Sequence, residues 1–303
     1  VFCVATIVFF LMHLVPGDVV DVMFGGGETG GATAEQMEVV RKALGLDQPL
    51  LVQYLRWLAR IMRGDLGRSP LSGRLIAPDV LRQLPRTLEL ALASMCIALL
   101  LGIPLGIFAA LKANRPLDFV IGTFSLIGLS TPNFVVGTFA ILAFGLYLQW
   151  LPLAGFVSFT ENPWEHLRLL LFPSAALGLS QAAFIIRMTR SAMLEVLRQD
   201  YIRTAQAKGV RDVIVHYKHA LRNALIPVVT LTGIQMGTLL GGTVVIEYVF
   251  SWPGLSTLLI NGVWRRDYPM VQAVVLIIAG GFILINLLVD IINAYIDPRI
   301  RYD

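Results

Sequence analysis

The sequence predicts an all-α integral membrane protein with six transmembrane helices and a long outer segment between the first and second. Three observations carry this expectation. Of 303 residues, 56% are hydrophobic and only 15% are charged, with a mean hydropathy of +0.72. A soluble domain carries about a quarter charged residues. Five apolar runs match the ~20 residues needed to cross a hydrocarbon core, and a sixth, shorter run opens the chain. Lysine and arginine gather in alternate connecting segments. The same composition excludes a disordered chain. Two cysteines, Cys3 and Cys96, form no CxxC pair and no disulfide framework. The net charge of +4 and pI near 9.2 fit a basic cytoplasmic membrane face rather than nucleic acid.

The first run occupies 1–15 and starts apolar, so a basic start and part of this helix are expected to precede it. The second, 88–111, carries Glu89 near its edge. The third, 119–148, is uncharged and long, with Pro132 in its middle, which predicts one tilted or kinked span. The fourth is 169–186, the fifth 224–246, and the sixth 270–296, which contains Asp290. Six crossings place both termini on one side. With that side cytoplasmic, segments 112–118, 187–223 and 297–303 hold twelve lysines and arginines. The short outer segments hold Arg168, Arg265 and Arg266. The charge bias therefore predicts a multi-pass membrane protein with both termini cytoplasmic.

The chain divides accordingly into a first helix (1–15), an outer segment (16–86) and a membrane core (87–303) that includes the cytoplasmic segment 187–223. The outer segment is too long for a link. Thr33 with Gln36 reads as a capping box and Gly45 as a stop, predicting a helix over 34–44. Leu51, Tyr54, Leu55, Leu58 and Met62 recur at helical spacing, with Arg56, Arg60 and Arg63 on another face. This predicts an amphipathic helix that ends near Gly64 and either lies on the membrane surface or, the preferred reading, packs on the outer ends of the spans.

The usual catalytic constellations are absent. There is no GxxxxGK[ST], no HExxH and no GxSxG. His13 and His166 are scattered; His216 and His219 lie three apart without companion ligands, so no metal site is expected. Ser180 and Gln181 sit in a span with no base beside them. The chain is expected to bind no cofactor and to catalyse nothing itself.

The segment 187–223 is basic yet patterned. Met188, Met193, Leu194 and Leu197 continue the fourth span as a helix beyond lipid. In DYIRTAQAKG (200–209), Asp200 is placed to cap a short helix, Thr204, Ala205 and Ala207 keep it slim, and Gly209 turns the chain. A second helix is expected from Asp212 to Leu225, with Pro227 opening the fifth span. A short helix held off the membrane by two longer ones is a mechanical lever.

DYIRTAQAKG followed by HALRNALIP (219–227) resembles the cytoplasmic signature of binding-protein-dependent ABC importer permeases of the dipeptide/oligopeptide/nickel class. HLVPGD (13–18), LGLDQPL (44–50), RGDLGRS (63–69), LPRTLELA (84–91), STPNFVVG (130–137), RMTRSAMLEVL (187–197), EYVFSWPGLS (247–256), RDYP (266–269) and DPRIRY (297–302) resemble the same class in the same order. The set spans nearly the whole chain and is most similar to the B-type subunit of a permease pair. Departures are Arg203, Thr204 and Ala205 where the generic signature has Glu-Ala-Ala, and Gln206 where a basic residue is common. Ser256 replaces a second glycine and Asn293 a tyrosine.

The resemblance implies a type I ABC importer permease fold. It implies a heterodimer with a second, C-type permease, two ATPase subunits that carry ATP and Mg, an extracytoplasmic substrate-binding protein and membrane lipid. It assigns coupling to the ATPases to Asp200, Arg203, Thr204, Ala205, Ala207, Lys208 and Gly209. Di- or oligopeptides are the expected cargo, with nickel chelates, glutathione, opines or oligosaccharides as the alternative. An ATP-independent channel or carrier would leave the lever without purpose, and an intramembrane enzyme would need a catalytic pair that is missing.

Other residues stand out on physical grounds. Gly233, Gly237 and Gly241 recur every four residues and give a flat helix face, either the seam with the partner permease or an internal packing face. Ser130, Thr131, Pro132 and Asn133, with Gln181, Gln235 and Thr238, are polar groups at membrane depth that either line the passage or join helices. Glu247, Trp252, Pro253 and Gly254 form the candidate outer gate or binding-protein contact.

Overall fold

The computed structural model describes residues 2–14, 19–24, 34–149 and 155–296. Thr33 of the expected capping box and the segment 297–303 lie outside these residues. The described chain is helical, and its one β-type feature is an isolated bridge between Arg68 and Leu75. Helices α1 (Phe2–Leu14), α2 (Val19–Met23), α3 (Ala34–Leu44) and α4 (Leu50–Met62) precede the long helix α5 (Ile76–Leu111). Then come α6 (Pro116–Ser130), α7 (Asn133–Ala140) with a π-helical continuation (Ile141–Tyr147), and α8 (Pro163–Leu197). The short α9 (Asp200–Ala207) follows, then α10 (Asp212–Ile214), a π-helical turn (Val215–Ala220) and α11 (Leu221–Val249). The last two are α12 (Leu255–Trp264) and α13 (Tyr268–Ile296).

Four stretches are long and apolar enough to cross a membrane: Ile76–Leu111, Pro163–Leu197, Asp212–Val249 and Tyr268–Ile291. A fifth is possible only if α6 with α7 and its π-helical continuation counts as one span. The 36 residues of α5 reach about 54 Å, well beyond a ~30 Å hydrocarbon core. Helix α1 has 13 residues among those described, short of a full crossing.

The third apolar run departs from the expected single kinked span. It is two helices bent by 100°. Thr131, the residue before Pro132, takes an extended conformation (φ −92°, ψ 122°), and Pro132 follows at φ −59°, ψ 139°. A proline disfavours the α region for its predecessor, which ends α6 and lets α7 start in a new direction. Pro227 departs the other way. It lies inside α11, and helix runs from Asp212 to Val249 without a break there.

The chain divides into two compact units. The first comprises 1–87 and 253–280. In it, Gly45 (φ +72°) and Gly64 (φ +77°) end α3 and α4 in the left-handed conformation that glycine adopts without a Cβ clash. Tyr54 and Trp57 of α4 are buried with Ala5 and Phe9 of α1, and Leu58 and Ile61 complete that face. The Thr6 and Tyr54 hydroxyls meet at 2.8 Å. The expected apolar stripe is thus corrected by one register. Trp57 turns inward, whereas Leu51, Leu55 and Met62 are 63%, 54% and 74% exposed. A second core joins Ile76 and Val80 to Leu255, Met270, Ala273 and Val274. Polar bonds fix it: the Leu255 N–H donates to Thr87 Oγ1 at 2.8 Å, and Asp267 Oδ1 accepts the Met270 N–H at 3.2 Å as the N-cap of α13. Ser69 Oγ donates to the other oxygen of Asp267.

The second unit comprises 88–252 and 281–303. Here α5 and α8 approach closely because Gly102 and Gly106 lie one turn apart. A methyl at Gly102 would stand 2.6 Å from Ile185, and one at Gly106 2.6 Å from Thr189. Arg190 of α8 pairs with Asp118 of α6. His166, 1% exposed, contacts Glu89 through Nε2 and the Val157 carbonyl through Nδ1, each at 2.7 Å.

Candidate functional site

The short helix α9 is built from its ends inward. Gln199 has the extended N-cap conformation (φ −70°, ψ 148°) and gives no side-chain bond. Asp200 is therefore the first helical residue, not the cap expected from the sequence. Its charge still favours the positive end of the helix dipole. At the other end, Gly209 is left-handed (φ +75°). The Val210 N–H donates to Ala205 O at 3.2 Å and the Gly209 N–H to Gln206 O at 2.9 Å. These two bonds form a Schellman motif, which satisfies carbonyls the helix would otherwise leave open.

Two residues anchor α9. Ile202 is fully buried, and the Tyr201 hydroxyl accepts from Asn223 Nδ2 of α11 at 2.8 Å. Asp200, Arg203, Thr204, Ala207, Lys208 and Gly209 are exposed, and Ala205 is half-buried. Arg203 lies 3.8 Å from Asp200 across one turn, an exposed pair of little energetic weight. The outward surface is therefore slim, with small residues between charged ones. Sequence reasoning missed its apolar companions. Tyr201, Val213, Ile214 and Tyr217 are 44%, 66%, 42% and 48% exposed on α9 and the turn that follows. An apolar Val-Ile pair in a basic segment was the available signal.

The polar candidates at membrane depth separate into two groups. Gln235 Nε2 donates to Gln181 Oε1 at 3.0 Å, and Thr238 Oγ1 donates to the Gln235 carbonyl at 2.8 Å. This cluster joins α8 to α11. Ser130, Thr131, Pro132 and Asn133 sit at the α6–α7 break. Thr131 Oγ1 donates back to Ile127 O at 2.8 Å. It also borders a largely apolar cavity of about 200 Å³ with Ser180, Phe124 and Leu179.

The glycine ladder splits as well. A methyl at Gly233 would overlap Val289, and one at Gly237 would stand 3.0 Å from Phe282, so both face α13. Nothing lies within 4 Å of the corresponding position at Gly241. Glu247 and Trp252 are fully enclosed in the second unit. The Trp252 ring meets Phe156 edge-on at 5.0 Å, and the Trp252 backbone N–H donates to the Glu247 backbone carbonyl at 2.8 Å. Pro253 and Gly254 belong to the first unit, where Pro253 is half-buried and Gly254 buried. Arg86 donates to the Pro253 carbonyl at 3.5 Å. Among the described residues, no three histidine, cysteine or carboxylate side chains converge to hold a metal.

Comparison with known proteins follows the same lines. Residues 102–302 match the family described as the binding-protein-dependent transport system inner membrane component, and residues 1–91 match its N-terminal counterpart. The glutathione transport system permease protein GsiC of Escherichia coli (strain K12) is 43% identical over 301 residues, covering 99% of this chain and 94% of that protein. The same permease of Salmonella typhi is 44% identical over 299 residues, with 99% and 94% covered. Among solved structures, an inward-facing form of the MetNI methionine ABC transporter aligns with a TM-score of 0.59 at 18% identity, covering 72% of this chain and 96% of that one. That likeness shows a shared fold. The chain belongs to the inner-membrane components of binding-protein-dependent transport systems and is the permease subunit of an ABC importer.

Proposed function

We propose that this chain carries glutathione or a closely related small peptide inward, as one half of a permease pair driven by two ATPases. The observation that carries the cargo reading is the identity to glutathione permeases along 99% of the chain. A di- or oligopeptide cargo is the second reading, favoured by the ordered motifs of the dipeptide/oligopeptide/nickel class. In this proposal both termini are cytoplasmic and the membrane is crossed six times, as the basic segment 187–223 favours. An external binding protein delivers the cargo, and a second permease of similar fold completes the passage. ATP and Mg reside on the partner ATPases.

In this reading α9 docks in a cleft on an ATPase. Its exposed face admits close approach, and the buried Ile202 and the Tyr201–Asn223 bond transmit displacement into α11. Closure of the ATPases tips the spans outward, and hydrolysis lets them return. A decisive shift between two such states needs several kcal/mol of differential binding, about 5.5 for a complete reversal. The Gln181–Gln235–Thr238 cluster, with Ser130–Asn133, is the proposed lining of the path.

The test is reconstitution in proteoliposomes with the second permease, the ATPases and the binding protein. Glutathione is expected to stimulate ATP hydrolysis and to accumulate inside. Stimulation by dipeptides but not by glutathione would transfer the cargo to the second reading. Uptake without the ATPases would overturn the importer mechanism.

A further inference from the structure

We propose that the first unit carries an oxyanion-binding pocket, a site for a carboxylate or phosphate group, between α1, α4, the 65–75 loop and the start of α13. The cavity has a volume of about 190 Å³. Arg56 and Arg60 of α4 and Arg68 of the loop border it. Trp57 and Tyr268 supply aromatic surface, and Gln272 supplies an amide.

Four features separate this cluster from an ordinary solvated face. First, Arg56 and Arg60 are four residues apart on one helix, a like-charge spacing that destabilises a helix unless something compensates. Second, no carboxylate compensates them among the described residues. Asp21 is taken by Arg41 at 2.7 Å and Arg266 at 4.0 Å. Asp65 accepts the Gly67 N–H at 2.8 Å, and Asp267 receives Ser69 and the Met270 N–H. Third, Gln272 is only 4% exposed, borders the cavity, and makes no side-chain hydrogen bond among the described residues. Its amide is therefore available to a ligand or to water at the cavity. Fourth, guanidinium forks match carboxylate and phosphate oxygens in planar, two-point fashion, whereas an aromatic wall favours a group with an apolar or flat neighbour.

The oxyanion has two possible sources with the same chemistry. One is the free carboxylate of a small peptide, and this source rests on the cargo reading above. The other is the headgroup phosphate of an anionic phospholipid. Binding to the purified full chain distinguishes them without the ATPases. The soluble probes are glutathione and its dimethyl ester, read by calorimetry in detergent. The lipid probes are nanodiscs of phosphatidylglycerol or phosphatidylcholine, read by retained lipid. The variants are R56Q/R60Q, the charge-conserving R56K/R60K, and Gln272→Leu, each checked by thermal unfolding.

The expected result is at least tenfold weaker retention of one acidic probe by R56Q/R60Q, partial recovery in R56K/R60K, and weakening by Gln272→Leu. Affinity should fall as salt rises. Loss confined to glutathione, with the ester already weak, assigns the pocket to a carboxylate. Loss confined to phosphatidylglycerol assigns it to a lipid phosphate. Binding of both acidic probes unaltered in R56Q/R60Q, or no binding of either, overturns the pocket. Stimulation of ATP hydrolysis by glutathione in the whole importer tests the cargo reading separately, so the failure of one is not mistaken for the failure of the other.

Discussion

Arg190 holds Asp118 by two parallel hydrogen bonds, Nε to Oδ1 at 2.6 Å and Nη2 to Oδ2 at 2.7 Å. The Asn114 N–H adds a third bond to the same carboxylate at 2.9 Å. The pair ties the start of α6 to α8. Arg190→Leu leaves a 6% exposed carboxylate without its cation. A loss of about 1–3 kcal/mol is expected for such an orphaned acceptor, read as a lowered unfolding temperature in detergent. Arg190→Lys should recover only part, because one ammonium cannot reproduce the fork. Removing both partners, with Asp118→Leu, should cost less than removing the arginine alone.

Ala207 is exposed on α9, away from the buried Ile202. Ala207→Arg should leave the chain folded and the complex assembled, while uptake per ATP hydrolysed falls at least tenfold. Paired hydrolysis and uptake assays in proteoliposomes read this. Uptake at the unmodified ratio would remove Ala207 from the docking face.

The two ends of the glycine ladder should behave differently. Gly233→Leu overlaps Val289 and is expected to cost about 1–3 kcal/mol from overpacking, with partial rescue by Val289→Ala. Gly241→Leu meets open space in this chain. It should leave the isolated chain as stable as before, and a loss of pairing with the second permease would place the seam there. Thermal unfolding and co-purification separate the two effects.

Asp267 adds a pH dependence. Burial raises its carboxyl above the ordinary value of 3.8, while the Ser69 hydroxyl and Met270 N–H pull the other way. A folded-state value raised above the unfolded one means the neutral form is favoured in the fold. The stabilisation is complete below the unfolded value and is lost as pH rises through the folded one. Unfolding temperature should therefore decline over that window in the unmodified protein. Asp267→Asn, which still accepts from Ser69, should flatten the decline.

Much of this fold was legible in the sequence because its signals are local. Gly45 and Gly64 stop helices as their left-handed conformation requires. The short helix α9 was visible because small residues at Thr204, Ala205 and Ala207 precede Gly209, which turns the chain in the left-handed conformation. The remainder depends on contacts between distant segments. Gln181 and Gln235 each stood out alone, but their bond joins residues 54 positions apart. Pro132 and Pro227 look alike as letters. Only the first breaks its helix, because its predecessor Thr131 is extended. Trp57 sits between Arg56 and Leu58, and its inward turn follows from Phe9, whose ring lies 5.5 Å away. The Gly102–Gly106 seam was not singled out in the sequence, because the residues that press on it, Ile185 and Thr189, lie about 80 positions away.

The π-helical turn at 215–220 gives the helix that follows α9 some slack. An i→i+5 closure takes up one more residue than an α turn. Removing one residue from 215–220 should let the chain close as regular α-helix, with Gln235 still facing Gln181. The same deletion a turn or two later has no surplus residue to absorb it, and would swing every following side chain by about 100°. Within the helix that runs from Asp212 to Val249, tolerance of shortening should therefore be confined to this turn, as a deletion scan read by uptake would show.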